Sequence, residues 1–134
     1  MRGHLLRSTS PALAVLAALS LGCGSYGGPS PLEARVMIVQ NAVSKATAGF
    51  SPNPLAITLA LGTRVTWVNR DYTSSTAGGT TGTSHFLVSD QGLFDSGELK
   101  PQSKFSFTFP GPGTYTYRCL KHPTMIGTIT ISQQ

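Results

Sequence analysis

Histidine, cysteine and acidic side chains are all scarce in this chain: three histidines, two cysteines and five acids among 134 residues. The acids, Glu33, Asp71, Asp90, Asp95 and Glu98, are too few and scattered to suggest a paired-carboxylate cleft or a Ser/His/acid set, so catalysis by side chains alone is not expected. The basic residues are also dispersed (Arg35, Lys45, Arg64, Arg70, Lys100, Lys104, Arg118, Lys121). Without a clustered basic face interleaved with aromatics, nucleic acid is excluded as the expected partner. No apolar run is long enough to cross a bilayer as a mature helix. No internal repeat or long helical period interrupts the chain, which argues against a helical or multidomain architecture.

What is present falls into three parts. Residues 1–22 carry Arg2 and Arg7, then the apolar run Ala12 to Leu19, and end at Gly22 before Cys23. This reads as an export signal. A small residue directly before a cysteine resembles the bacterial lipobox, so the expectation is a lipid on Cys23 and a protein anchored on the periplasmic or cell-surface side of a bacterial membrane. Ser20 and Leu21 depart from the usual motif, and ordinary cleavage nearby is the alternative. Removing the segment takes the formal charge from +5 to +3, because Arg2 and Arg7 leave with it. Residues 23–34, rich in Gly and Pro, read as a flexible linker.

Residues 35–134 read as one domain of about a hundred residues, the right size for a single core. Arg35 to Val39, Leu55 to Leu59, Arg64 to Val68, Lys104 to Phe109, Thr114 to Arg118 and Gly127 to Ile131 are short, strand-like runs separated by Gly and Pro. Val43 to Ala48 suits a turn of helix. The expected class is all-β, an antiparallel sandwich. Alternation puts Phe105, Phe107 and Phe109 on one face, and Val65 with Trp67 on one face of another strand, where they read as core. The polar stretch Thr73 to Ser84 reads as a flexible loop inserted at the surface.

One stretch carries chemistry. Cys119, His122 and Met125 stand with two residues between each pair, bracketed by strand-like runs. Thiolate is a soft, strong ligand, imidazole suits copper and zinc, and a thioether favours copper. Of the remaining histidines, His4 lies in the export signal, which leaves His85 as the second nitrogen donor. His85, Cys119 and His122 with Met125 as a weak axial ligand would make a type 1 copper site. A structural zinc is the alternative, but it normally uses four Cys/His ligands. A Cys23–Cys119 disulfide competes with the use of Cys119 as a ligand.

On these residues, with Ser51-Pro52, Gly62 to Asn69, Phe94-Asp95-Ser96-Gly97 and Pro112 to Tyr115 in the same order, the chain from about Phe50 to Ile131 resembles the small type 1 (blue) copper proteins of the cupredoxin family. The short Cys-x-x-His-x-x-Met spacing is plastocyanin/amicyanin-like, nearest the amicyanin form. The resemblance implies a Greek-key sandwich holding one copper. Family members commonly read Pro-His-Asn at the first histidine, with the Asn tying the ligand loops together, whereas this chain reads Ser84-His85-Phe86. The expected function is a one-electron carrier, likewise a monomer, working between redox protein partners outside the cytoplasm. Extracytoplasmic copper capture or delivery is the alternative. Only Met37 and Met125 remain after export, which leans away from it. Copper oxidases and nitrite reductases need further histidines that the exported chain lacks, so no enzyme is expected.

Overall fold

A computed structural model describes residues 34–58, 63–74 and 80–133. The expected export signal, Cys23 and the linker up to residue 33 lie outside the described residues. In chain order the strands are β1 (Ala34–Ile38), β2 (Phe50–Ser51), β3 (Leu55–Thr58), β4 (Arg64–Asn69), β5 (Tyr72–Ser74) and β6 (Thr80–Gly82). They continue with β7 (His85–Ser89), β8 (Asp95–Leu99), β9 (Lys104–Thr108), β10 (Gly113–Cys119) and β11 (His122–Ser132). A single helical turn, α1 (Ala42–Lys45), runs into a 3-10 turn at Ala46–Gly49, where the sequence suggests helix.

Two sheets face each other, in the orders β2-β1-β4-β9 and β3-β11-β10-β7-β8. Most neighbours are antiparallel; β1 with β4 and β3 with β11 are parallel. The long hairpin β10–β11 is the backbone of the second sheet, and β7 pairs with β10 on its other side, placing Leu87 beside Cys119. The all-β sandwich expected from alternation is what the chain forms.

The core between the sheets is aromatic at one end. Trp67 on β4 is fully buried and lies 5.1 Å from Phe94, 5.3 Å from Tyr117 and 5.7 Å from Phe105, ring centroid to ring centroid. Tilted and edge-on contacts of this kind add about 0.5–1.5 kcal/mol per pair beyond the area they bury. Phe109 is buried and Phe105 and Phe107 pack against the same cluster, as their alternation indicates. Tyr117 reaches this cluster because its β11 neighbour is Gly127: a Cβ at that position would overlap the tyrosine ring. No helix among the described residues is long and apolar enough to cross a membrane.

The polar stretch before His85 differs from the expected loop. Its two ends pair as the hairpin β5–β6, with Tyr72 opposite Gly82 and Ser74 opposite Thr80. β-branched threonines favour the extended backbone even where no apolar face is buried. Gly82 lets β6 approach closely, since a Cβ there would lie 2.5 Å from the Asp71 carbonyl oxygen.

Candidate metal centre

Three strand ends of the second sheet converge just past the aromatic cluster, at the end of β10 beyond Tyr117. β7 alternates buried and half-buried residues from its first position, so His85, Leu87 and Ser89 face inward and His85 is the last inward residue at this end. β10 points Tyr117 and Cys119 inward, with Arg118 outward on Asp90 at 2.7 Å. β11 begins at His122, which pairs with Cys119 across the two-residue turn Leu120–Lys121. The register shifts there: Arg118 pairs with Ile126 while Cys119 pairs with His122, so residues 123–125 bulge out of the ladder. Bulges re-aim side chains at the rims of sheets. Here the bulge returns His122 to the thiol and makes the expected loop the start of a strand.

The result is a compact donor set. One ligand atom each from His85, Cys119 and His122 lies within 4.8 Å of the others. Cys119 Sγ is 3.7 Å from His85 Nδ1 and 3.4 Å from His122 Nδ1, so both imidazoles present the same nitrogen to the sulfur. The rings stand 5.2 Å apart at 61°. Cys119 is a buried free thiol, so the competing disulfide is not formed by it. Met125, the last residue of the bulge, is fully buried. Gly49 of the 3-10 turn leaves room for it: a Cβ on Gly49 would stand 3.1 Å from Met125 Cε. Asn53 pins the strand just past Met125, donating to the Ile126 carbonyl (2.8 Å) and accepting from the Thr128 N–H (3.0 Å).

The missing Asn after His85 is compensated through the backbone. The Phe86 N–H lies 3.5 Å from Cys119 Sγ, and the Leu120 N–H donates to the Phe86 carbonyl at 2.8 Å. The Phe86 ring lies under Lys121 Nζ, 4.3 Å from the ring centroid. The two strands are thereby tied at the thiol without a side-chain amide.

Two polar residues of the site escape a motif search. Asp71 Oδ2 lies 3.0 Å from His85 Nε2, with both side chains nearly or fully buried. Asn69, fully buried, donates to the Thr83 and Leu99 carbonyls, both at 2.8 Å, and accepts from the Asp71 N–H at 2.9 Å. The signal for them is phase: Val65 and Trp67 continue at the same alternation into Asn69 and Asp71, so inward-facing positions turn polar as the strand nears His85. Burial lowers the His85 pKa from its usual value, opposed by the hydrogen bond and charge of Asp71 and aided by nearby His122. The imidazole is thus kept in the neutral form that binds metal.

The donor chemistry fits copper. A cysteine sulfur with two imidazole nitrogens at one point, a buried thioether three residues past His122 and a backbone N–H on the sulfur suit a type 1 centre, and a structural zinc has no use for the thioether. Met125 and the cluster are compatible with one such copper per chain.

Comparison with known proteins gives the same direction. The family described as copper binding proteins, plastocyanin/azurin family, matches residues 38–132. A purple cupredoxin from Nitrosopumilus maritimus is 31% identical over 75% of this chain and 100% of that one, with a TM-score of 0.59. A Cu(I) structure of an amicyanin variant (21% identity, 75% of this chain and 82% of that one, TM-score 0.54) shares the fold. A copper-containing nitrite reductase from Thermus scotoductus matches 79% of this chain at 28% identity and a TM-score of 0.57, but only 24% of the larger protein. No curated protein matches the sequence.

Proposed function

Since the chain belongs to the plastocyanin/azurin family of copper-binding proteins, we propose that it is a mononuclear type 1 copper protein that carries single electrons between redox partners outside the cytoplasm. The observation that carries this reading is the convergence of His85 Nδ1, His122 Nδ1 and Cys119 Sγ at one buried point. His85, Cys119 and His122 would hold the metal, with Met125 as the weak axial donor. Bound there, copper supplies one-electron chemistry by alternating between its two common oxidation states.

The chain's own part is to keep the donors still. His85 and Cys119 are fully buried on paired strands, and His122 is held opposite Cys119 by the two-residue turn, so little protein has to move when the charge at the site changes. His122 is half-buried and opens toward a surface where Leu120 is 56% and Ile126 42% exposed, with Pro123 and Thr124 also exposed. Exposed apolar residues around a single polar edge suit brief docking by redox proteins. One such metal would take up both His85 and His122, the histidines outside the expected export signal, which supports a carrier over a catalyst.

A lipid on Cys23 would tether the domain to a membrane through residues 24–33 and raise its local concentration near membrane partners. Membrane fractionation of the native protein, against a Cys23→Ala variant released into the soluble fraction, tests that part separately.

The deciding experiment for the carrier reading is an optical spectrum of the copper-loaded protein. An intense thiolate-to-copper band that a reductant bleaches and an oxidant restores is the expected result. Copper that leaves for an acceptor protein without redox bleaching would favour copper delivery instead.

A further inference from the structure

We infer that Asp71 is the positioning residue that fixes the tautomer of His85 and strengthens it as a donor, an assignment that rests on the copper reading above. An imidazole has two nitrogens, and a neutral ring can offer only one lone pair. In His85 the two face different partners: Nδ1 is turned to Cys119 Sγ and Nε2 to Asp71 Oδ2, 3.0 Å away. A carboxylate has no proton to give, so Nε2 carries the hydrogen and Nδ1 is left with its lone pair toward the other donors. The Asp71 charge at the far nitrogen also raises electron density on the ring, as outer carboxylates do for metal-bound histidines.

Asp71 is itself held for this role. Its Oδ1 accepts the Asn41 N–H at 2.7 Å, its own N–H donates to Asn69 Oδ1 at 2.9 Å, and its carbonyl accepts the Thr83 N–H at 2.9 Å. Thr83 is two residues from His85, and Asn69 also grips the Thr83 carbonyl. The carboxylate and the histidine therefore belong to one braced unit. Both carboxylate oxygens act as acceptors, one for Asn41 and one for His85. An amide has one accepting oxygen, so Asp71→Asn must either turn its NH2 toward Nε2, which drives the proton to Nδ1, or set its NH2 against the Asn41 N–H.

The test joins two readouts. In the copper-free wild type, long-range proton–nitrogen NMR at a pH where His85 is neutral is expected to find its hydrogen on Nε2. In Asp71→Asn a substantial Nδ1–H population is expected, together with a copper(II) affinity lowered about 10- to 100-fold. Copper(I), which depends less on a charged donor set, should lose less, so the reduction potential rises by about 59 mV for each tenfold difference between the two losses. An Nδ1–H tautomer in the wild type overturns the inference, and that measurement needs no variant to fold. A variant that melts earlier with tautomer and potential unchanged overturns it as well, since Asp71 would then only brace the loop. Failure of the copper reading looks different: the wild type takes up no copper and shows no blue band, whatever its tautomer.

Discussion

Tyr117 and Cys119 stand two positions apart on the inward face of the same strand, both buried, and they belong to two differently built halves of one core. Tyr117 lies 4.9 Å from Phe50 and 5.3 Å from Trp67 between ring centroids. Its hydroxyl lies beside the Trp67 indole N–H, and neither atom makes a well-formed hydrogen bond among the described residues. Cys119 meets two imidazole nitrogens and a backbone N–H. The aromatic half is held by area and shape and tolerates poorly paired polar atoms. The donor half is held by directional contacts, and those identified around it are mutually supporting. One half can therefore act as a scaffold that fixes the other before any metal arrives.

The sharpest way to separate the halves is Cys119→Ser, which should abolish the charge-transfer colour completely because a hydroxyl cannot replace the thiolate. Near-ultraviolet circular dichroism of the Trp67 cluster should stay as in the wild type. A variant that remained blue would remove Cys119 from the site. From the other side, Trp67→Ala is expected to destabilise the fold by about 3–5 kcal/mol. Urea unfolding should record the same loss with and without copper; a loss confined to the copper-loaded form would mean that the metal holds the sandwich together.

A smaller effect is expected where the halves meet. In Gly49→Ala the new Cβ would lie 2.6 Å from the Ala42 carbonyl oxygen and 3.1 Å from Met125 Cε. That crowding should cost about 1–3 kcal/mol and displace the thioether, altering the visible spectrum while copper stays bound. An unchanged spectrum would place Met125 outside the centre. Tyr117→Phe should have the smallest effect, within about 1 kcal/mol near neutral pH, since the hydroxyl it removes makes no well-formed hydrogen bond. Burial pushes the Tyr117 pKa well above its ordinary 10.0. A raised folded value leaves stability intact below the unfolded value and erodes it as pH rises past about 10. The phenylalanine variant should therefore lose less stability than the wild type between pH 10 and 11 in denaturant titrations, and equal losses would show that Tyr117 titrates as an exposed tyrosine does.

The two halves also differ in how far the sequence discloses them. Alternation places Phe105, Phe107, Phe109 and Trp67 in the core, because burial in a strand has a period that can be counted. The ligand spacing of Cys119, His122 and Met125 names a metal by its donor chemistry. The bulge that aims His122 is hidden, since a shift of register depends on what both strands bury. Asp71 is hidden for another reason: its partner lies 14 residues away, beyond a polar segment whose pairing into β5–β6 leaves no apolar trace. The departure at Phe86 reads as a loss in the sequence, yet backbone groups do the tying that a side chain was expected to do.

The unequal exposure of the two histidines has a consequence for traffic. His85 is sealed inside, and only His122 opens outward, among Leu120, Pro123, Thr124 and Ile126. On the carrier reading, the molecule has one door. A donor seated there shuts out an acceptor, so the two must call in turn, and each visit has to end before the next begins. Fast departure then matters as much as fast arrival, and a small contact that lets go readily serves better than a tight one.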